Sequence, residues 1–175
     1  MDFNSYAYSK NSALSLYDFF CKNFSTPPVL LCIGTDRILA DCLGPLIADQ
    51  LRAINYPQFI YGGLSAPITR QNAIFASQYI RTMHPESKLL VIDSMASTTS
   101  ARLGHIIINN RYNGALQNLD IEADLYLYGI TSILHQQKLF NARLFNIKNI
   151  SNSIVSAFVY YVKNRQKNNQ KILKK

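Results

Sequence analysis

The chain has 175 residues, 48% of them hydrophobic and 16% charged, which suits one soluble domain with a real core and excludes collagen-like or low-complexity sequence. The net charge of +8 is concentrated: Lys163, Arg165, Lys167, Lys171, Lys174 and Lys175 lie in the last thirteen residues with no acid among them, and without these six the charge falls to +2. That distribution reads as a solvated helix end rather than a nucleic-acid surface, so nucleic acid is not an expected partner.

Three cysteines (Cys21, Cys32 and Cys42) form an odd set without metal-type spacing, as expected in a reducing compartment. The sequence shows neither a signal-peptide pattern nor an apolar run of membrane-spanning length, so a cytoplasmic protein without a membrane partner is expected.

Residues about 9 to 24 carry Leu16, Phe19, Phe20 and Phe24 at helical spacing, and Thr26-Pro27-Pro28 ends that helix. Val29 to Ile33 reads as a buried strand, and Gly34 to Ala40 as a loop. Asp41 to Ile54 reads as a helix with Leu43, Leu46, Ile47, Leu51 and Ile54 on one face and Asp41 as its N-cap. Phe59 to Tyr61 is a short strand, Gly62-Gly63 and Pro67 a turn, and Thr69 to Met83 a helix with Thr69 as cap. Strands follow at Leu89 to Ile92, Leu103 to Ile108 and Leu125 to Ile130, with a polar loop around Asn113-Gly114 after the second of these. Ser132 to Phe140 suggests a short helix, Leu144 to Ile147 an extended piece, and Asn149 to about Lys167 a final amphipathic helix.

This alternation predicts a three-layer α/β/α domain with a mainly parallel mixed sheet. The chain divides into an N-terminal helix and linker (1–27), one α/β domain (28–164) and a basic tail (165–175).

Two aspartates stand out. Asp41 follows the first buried strand and Asp93 ends the run Leu89-Leu90-Val91-Ile92, so both fall toward carboxyl ends of strands, where open α/β sheets bind ligands. Converging in one cleft, they would drive their pKa values apart and supply an acid and a base. The plainer readings are that Asp41 caps a helix, Asp36 pairs with Arg37, and Asp93 caps the next loop or pairs with Arg102. No nucleotide-binding glycine motif, serine elbow or HExxH pattern is present. Cys42 reads as a small buried residue, His84 as a surface residue and His105 as a structural histidine. His135, just past a strand, is the histidine best placed to join a site.

Several short motifs then occur in order. Ile33-Gly34-Thr35-Asp36-Arg37 with Asp41-Cys42-Leu43-Gly44-Pro45, Tyr61-Gly62-Gly63-Leu64 with Pro67, Val91-Ile92-Asp93, Gly129-Ile130 and Asn141-Ala142-Arg143-Leu144 resemble the blocks of the YyaC-like spore protease family, over most of residues 29 to 162. Those proteins are similar to the germination protease and, more distantly, to hydrogenase maturation endopeptidases. The resemblance implies the maturation-protease fold, a sporulation-associated peptidase with a protein or peptide substrate, and a forespore or spore-interior location. It implies Asp41 and Asp93 as the catalytic pair, with Thr35, Asp36, Arg37 and Ser94 at the substrate. No cofactor is expected; the alternatives are nickel or zinc held by Asp41, Asp93 and His135, or a protease-like fold serving only for binding. The chain departs from the pattern in the apolar Ile38-Leu39-Ala40, in Cys42, and in Ile68-Thr69 after Pro67 where a histidine element is usual. These departures bear on substrate handling more than on the aspartates.

Overall fold

The computed structural model describes residues 3–111, 121–135, 138–140 and 142–172, the side chains of 138–140 and those after 166 excepted. The strands are β1 (Phe3–Tyr6), β2 (Val29–Cys32), β3 (Ile60–Tyr61), β4 (Leu89–Ser97), β5 (His105–Asn109), β6 (Leu125–His135) and β7 (Lys138–Phe140). The α-helices are α1 (Ser12–Asn23), α2 (Leu43–Ala53), α3 (Ala73–Met83) and α4 (Leu144–Ile172), with one-turn 3-10 helices at Leu39–Asp41 and Ser100–Arg102.

The strand order is β1-β5-β6-β4-β2-β3, and β7 folds back on the end of β6. The inner run β6-β4-β2-β3 is parallel, while β1, β5 and β7 attach antiparallel. This is the expected three-layer α/β/α arrangement on a mixed sheet. β2 and β4 are the apolar runs of the sequence, and their residues Val29–Cys32 and Leu89–Ile92 are buried on both faces. Such strands lose their apolar surface only between two helical layers.

Alternation assigns the faces. Leu30, Cys32, Leu90 and Ile92 pack with Leu16 and Phe20 of α1, Leu43, Ile47 and Leu51 of α2, and Ile147, Ile150, Ile154 and Phe158 of α4. Val29, Leu31, Leu89 and Val91 turn to the other face, against Ala73 and Ile80 of α3. The α4 residues recur every three or four positions, the spacing of one helical stripe. Among the described residues, no helix is long and apolar enough to cross a membrane.

The two ends of the chain are tied together. The Phe20 and Phe158 rings stack with centroids 4.4 Å apart. The Tyr161 hydroxyl donates to the Phe24 carbonyl at 2.8 Å, and the Arg165 guanidinium donates to the same oxygen at 2.9 Å while lying over the Tyr161 ring. Arg165, read from the sequence as part of a solvated tail, thus satisfies a carbonyl left over at the end of α1.

Several expected elements differ. The stretch 3–6 is a strand, unmarked by its half-buried alternation. The α2 helix starts at Leu43, so Asp41 precedes it and its side chain makes no cap; α3 starts at Ala73, four residues after Thr69. β4 continues through Ser97 and β6 through His135, where a loop and a helix were expected, and Leu144–Ile147 belongs to α4 instead of an extended piece. The loop around Asn113-Gly114, and Asn141, lie outside the described residues.

Phe20 is fully buried against α4. Phe20→Ala is expected to cost about 3–5 kcal/mol of unfolding free energy, read as a lower urea midpoint with an unchanged slope.

Candidate active site

β2 and β4 are neighbours whose following connections run to opposite sides of the sheet, toward β3 and toward β5 respectively. Such a switch point opens a crevice beyond the carboxyl ends of the strands. A cavity of about 680 Å³ lies there, bounded by the segment after β2, the segment before α3, and the carboxyl-terminal halves of β4 and β6.

Gly34 builds the first wall. Its φ is +133°, and a Cβ there would stand 2.0 Å from the Asp41 carbonyl oxygen. Only glycine lets the chain turn and pass so close. The Gly34 N–H donates to the Ile68 carbonyl at 2.8 Å, and the Thr35 N–H to the Asp41 carbonyl at 3.1 Å. The loop therefore closes on itself and carries Asp41 back to the sheet. From the other side, the Thr131 hydroxyl of β6 donates to the Ala40 carbonyl at 2.6 Å, fixing the one-turn helix that holds Asp41.

Asp41 and Asp93 both line the cavity. Asp93 is only 3% exposed, and one of its carboxylate oxygens accepts the Ser94 N–H at 2.7 Å. Burial pushes the Asp41 carboxyl up to about 6, opposed by a hydrogen bond from the Thr35 backbone. Desolvation is the largest cause of that shift.

Of the other predicted residues, Thr35, Arg37 and Ser94 line the same cavity. The Ser94 hydroxyl is buried and has no hydrogen-bond partner among the described residues. Asp36 is exposed on the loop and does not line the cavity, and the Asp36–Arg37 ion pair is absent among the described residues. Arg102 sits in its own one-turn helix away from the cavity lining. His135 is exposed at the far end of β6, where it faces Lys138 in the β6–β7 hairpin, and does not reach the lining. No group of three or more His, Cys, Asp or Glu that could hold a metal ion occurs among the described residues. Cys42 is buried beside the first turn of α2, and burial raises its thiol, which leaves it a packing residue.

Sequence reasoning missed Thr131, Ser132, Thr69 and Arg70 in the lining. The first two sit at a bulge: Met95 faces Ile130 while Ala96 faces Ser132, leaving Thr131 as the extra residue. A bulge turns consecutive side chains from their usual alternation, and here both reach the cavity. A polar Thr-Ser pair ending an apolar strand was the available signal.

The protein-family model described as "Protein of unknown function (DUF1256)" matches residues 4–157, so the chain belongs to that family. The uncharacterized protein YyaC of Bacillus subtilis (strain 168) is 29% identical over 134 residues, 72% of this chain. The chain spans 65% of that relative's length. The YyaC-like kinship read from the motifs is thereby established.

An acid raised from 3.8 to about 6 favours the fold most when protonated. Its stabilising contribution is complete below about pH 4 and is lost as pH rises through about 6. Asp41→Asn, neutral throughout, is expected to melt above the native protein at about pH 7.5, with the gap closing toward about pH 4. A melting difference that stays constant over this range would contradict the burial of an ionisable Asp41.

Proposed function

We propose that this DUF1256 protein is a peptidase whose working groups are Asp41 and Asp93. The observation that carries the reading is that two carboxylates from separate elements line one cavity at the switch point of the sheet. Asp41, titrating at about 6, exchanges a proton easily near neutrality, the property wanted in a general acid–base. The likeness of the Asp41 and Asp93 motifs to those of the germination protease supports the same chemistry, and with it a place in sporulation.

In this mechanism ionised Asp41 takes a proton from water while the water oxygen attacks the peptide carbonyl carbon. The proton then passes to the amide nitrogen as the C–N bond breaks, leaving a carboxylic acid and an amine. Asp93, anchored by the Ser94 N–H, accepts a hydrogen bond from the attacking water and orients it. Thr35 and Arg37 hold the substrate at the mouth of the cavity, and Ser94 meets it inside.

Hydrolysis of a fluorescence-quenched octapeptide library tests this. Asp41→Asn and Asp93→Asn are each expected to lower the rate by a factor of about 10² to 10⁴, with melting and circular dichroism showing a retained fold. The native rate should rise with pH through an inflection near 6, the titration of Asp41. Undiminished hydrolysis in both variants overturns the mechanism.

A further inference from the structure

Successive side chains of a strand point to opposite faces, so a cavity lying on one face of a sheet meets every second residue. Here four in a row, Asp93, Ser94, Met95 and Ala96, line the cavity. The cavity therefore meets β4 along its edge.

The pairing agrees. β4 is paired with β6 as far as Ser97, but with β2 only from Leu89 to Ile92. The last ladder bond on the β2 side runs from the Ile33 N–H to the Ile92 carbonyl, at 2.8 Å. Beyond it the chain swings away, and Ile33 makes a parallel bridge to Ile68 instead. Main-chain groups alternate in direction along a strand, so Ser94 and Ala96 face the same side as Ile92. The Ser94 N–H is engaged by the Asp93 carboxylate. Outside the β4–β6 ladder, the Ser94 carbonyl and the N–H and carbonyl of Ala96 have no main-chain partner among the described residues. The buried, unpartnered Ser94 hydroxyl lies at the same edge, only 8% exposed.

We propose that this interior edge of β4, Ser94 to Ser97, binds a stretch of extended polypeptide as an added strand. Main-chain hydrogen bonds to Ser94 and Ala96 supply the recognition, as in other cases of strand addition. Four residues of strand span about 13 Å at roughly 3.3 Å each. The occupant is an unfolded or locally extended segment of another polypeptide, without proline where it pairs. A folded helix presents no free main-chain groups and does not fit this edge. The inference rests on the peptidase reading for its substrate and adds how that substrate is held: in the plane of the sheet, with a carbonyl delivered beside Asp41 and Asp93.

The test uses the full chain carrying Asp41→Asn, in which any cleavage is expected to be slowed, and a pool of acetylated, amidated octapeptides of mixed sequence. Amide spectra report binding. The pool is expected to shift and protect the Ala96 amide, whereas a matched pool N-methylated at every peptide bond, unable to pair as a strand, is expected to do neither. Ala96→Pro, which removes the outward N–H from an edge position, should weaken binding at least about tenfold, with Ala96→Val as the folded control. Equal binding of the two pools, or no binding of either, overturns strand addition while leaving hydrolysis to be judged by the aspartate variants. Selective binding of the unmethylated pool, with no hydrolysis by the native protein, upholds strand addition and overturns the peptidase reading.

Discussion

The cavity exists because β4 outruns β2. Both strands enter the sheet in register, and β2 leaves it at Ile33 while β4 continues for five more residues paired with β6. The departure depends on Gly34, whose missing side chain lets the chain turn sharply and run close beneath the Asp41 carbonyl. Any side chain there would collide with backbone, which cannot retreat as a flexible side chain can. One residue without a Cβ thus sets the width of the crevice, the place of Asp41 and the exposure of the β4 edge together.

The charges of the site follow from where that crevice lies. Asp41 is held in place by the Thr35 N–H on its own carbonyl and by the Thr131 hydroxyl on that of Ala40, with its carboxyl in the cavity lining. Partial removal from water then lifts its pKa. Arg37 and Arg70 line the same space, and neither forms an ion pair among the described residues. The ion pairs among the described residues lie elsewhere, as where Asp124 receives Arg81 and Lys88 at the opposite, amino end of β4.

The sequence made the buried parts of this architecture visible and hid the parts that border solvent or the cavity. Val29 to Cys32 and Leu89 to Ile92 are continuous apolar runs because both faces are covered, and the stripe of α4 from Ile150 to Tyr161 is visible for the same reason. The remainder of β4, Asp93-Ser94-Met95-Ala96-Ser97, is strand by pairing but polar by composition, since it borders a cavity; the hydrophobic pattern stops there although the backbone does not. Thr131 and Ser132 hid the continuation of β6 in the same way. Phe3–Tyr6 alternates only weakly at a sheet edge and needed its partner β5, a hundred residues away, to become recognisable. Asp41 is legible from its place beyond the first strand, and it lines the cavity there; the plainer reading of it as a helix cap does not hold, since it stands before α2 without capping it. His135 followed an apparent strand end that lies five residues further on than the apolar run suggested, which carried it past the site.

The fastening of the Phe24 carbonyl by Tyr161 and Arg165 bears on the order in which the molecule assembles. The first helix finds its hydrogen-bonding partners some 140 positions downstream, and β1 meets β5 after a comparably long interval. Closing loops of that length demands entropy before contacts repay it. While the chain is being synthesised, α1 must wait, its phenylalanines uncovered, until α4 emerges. The nascent protein is therefore open to association with its neighbours until the residues of α4 have been made.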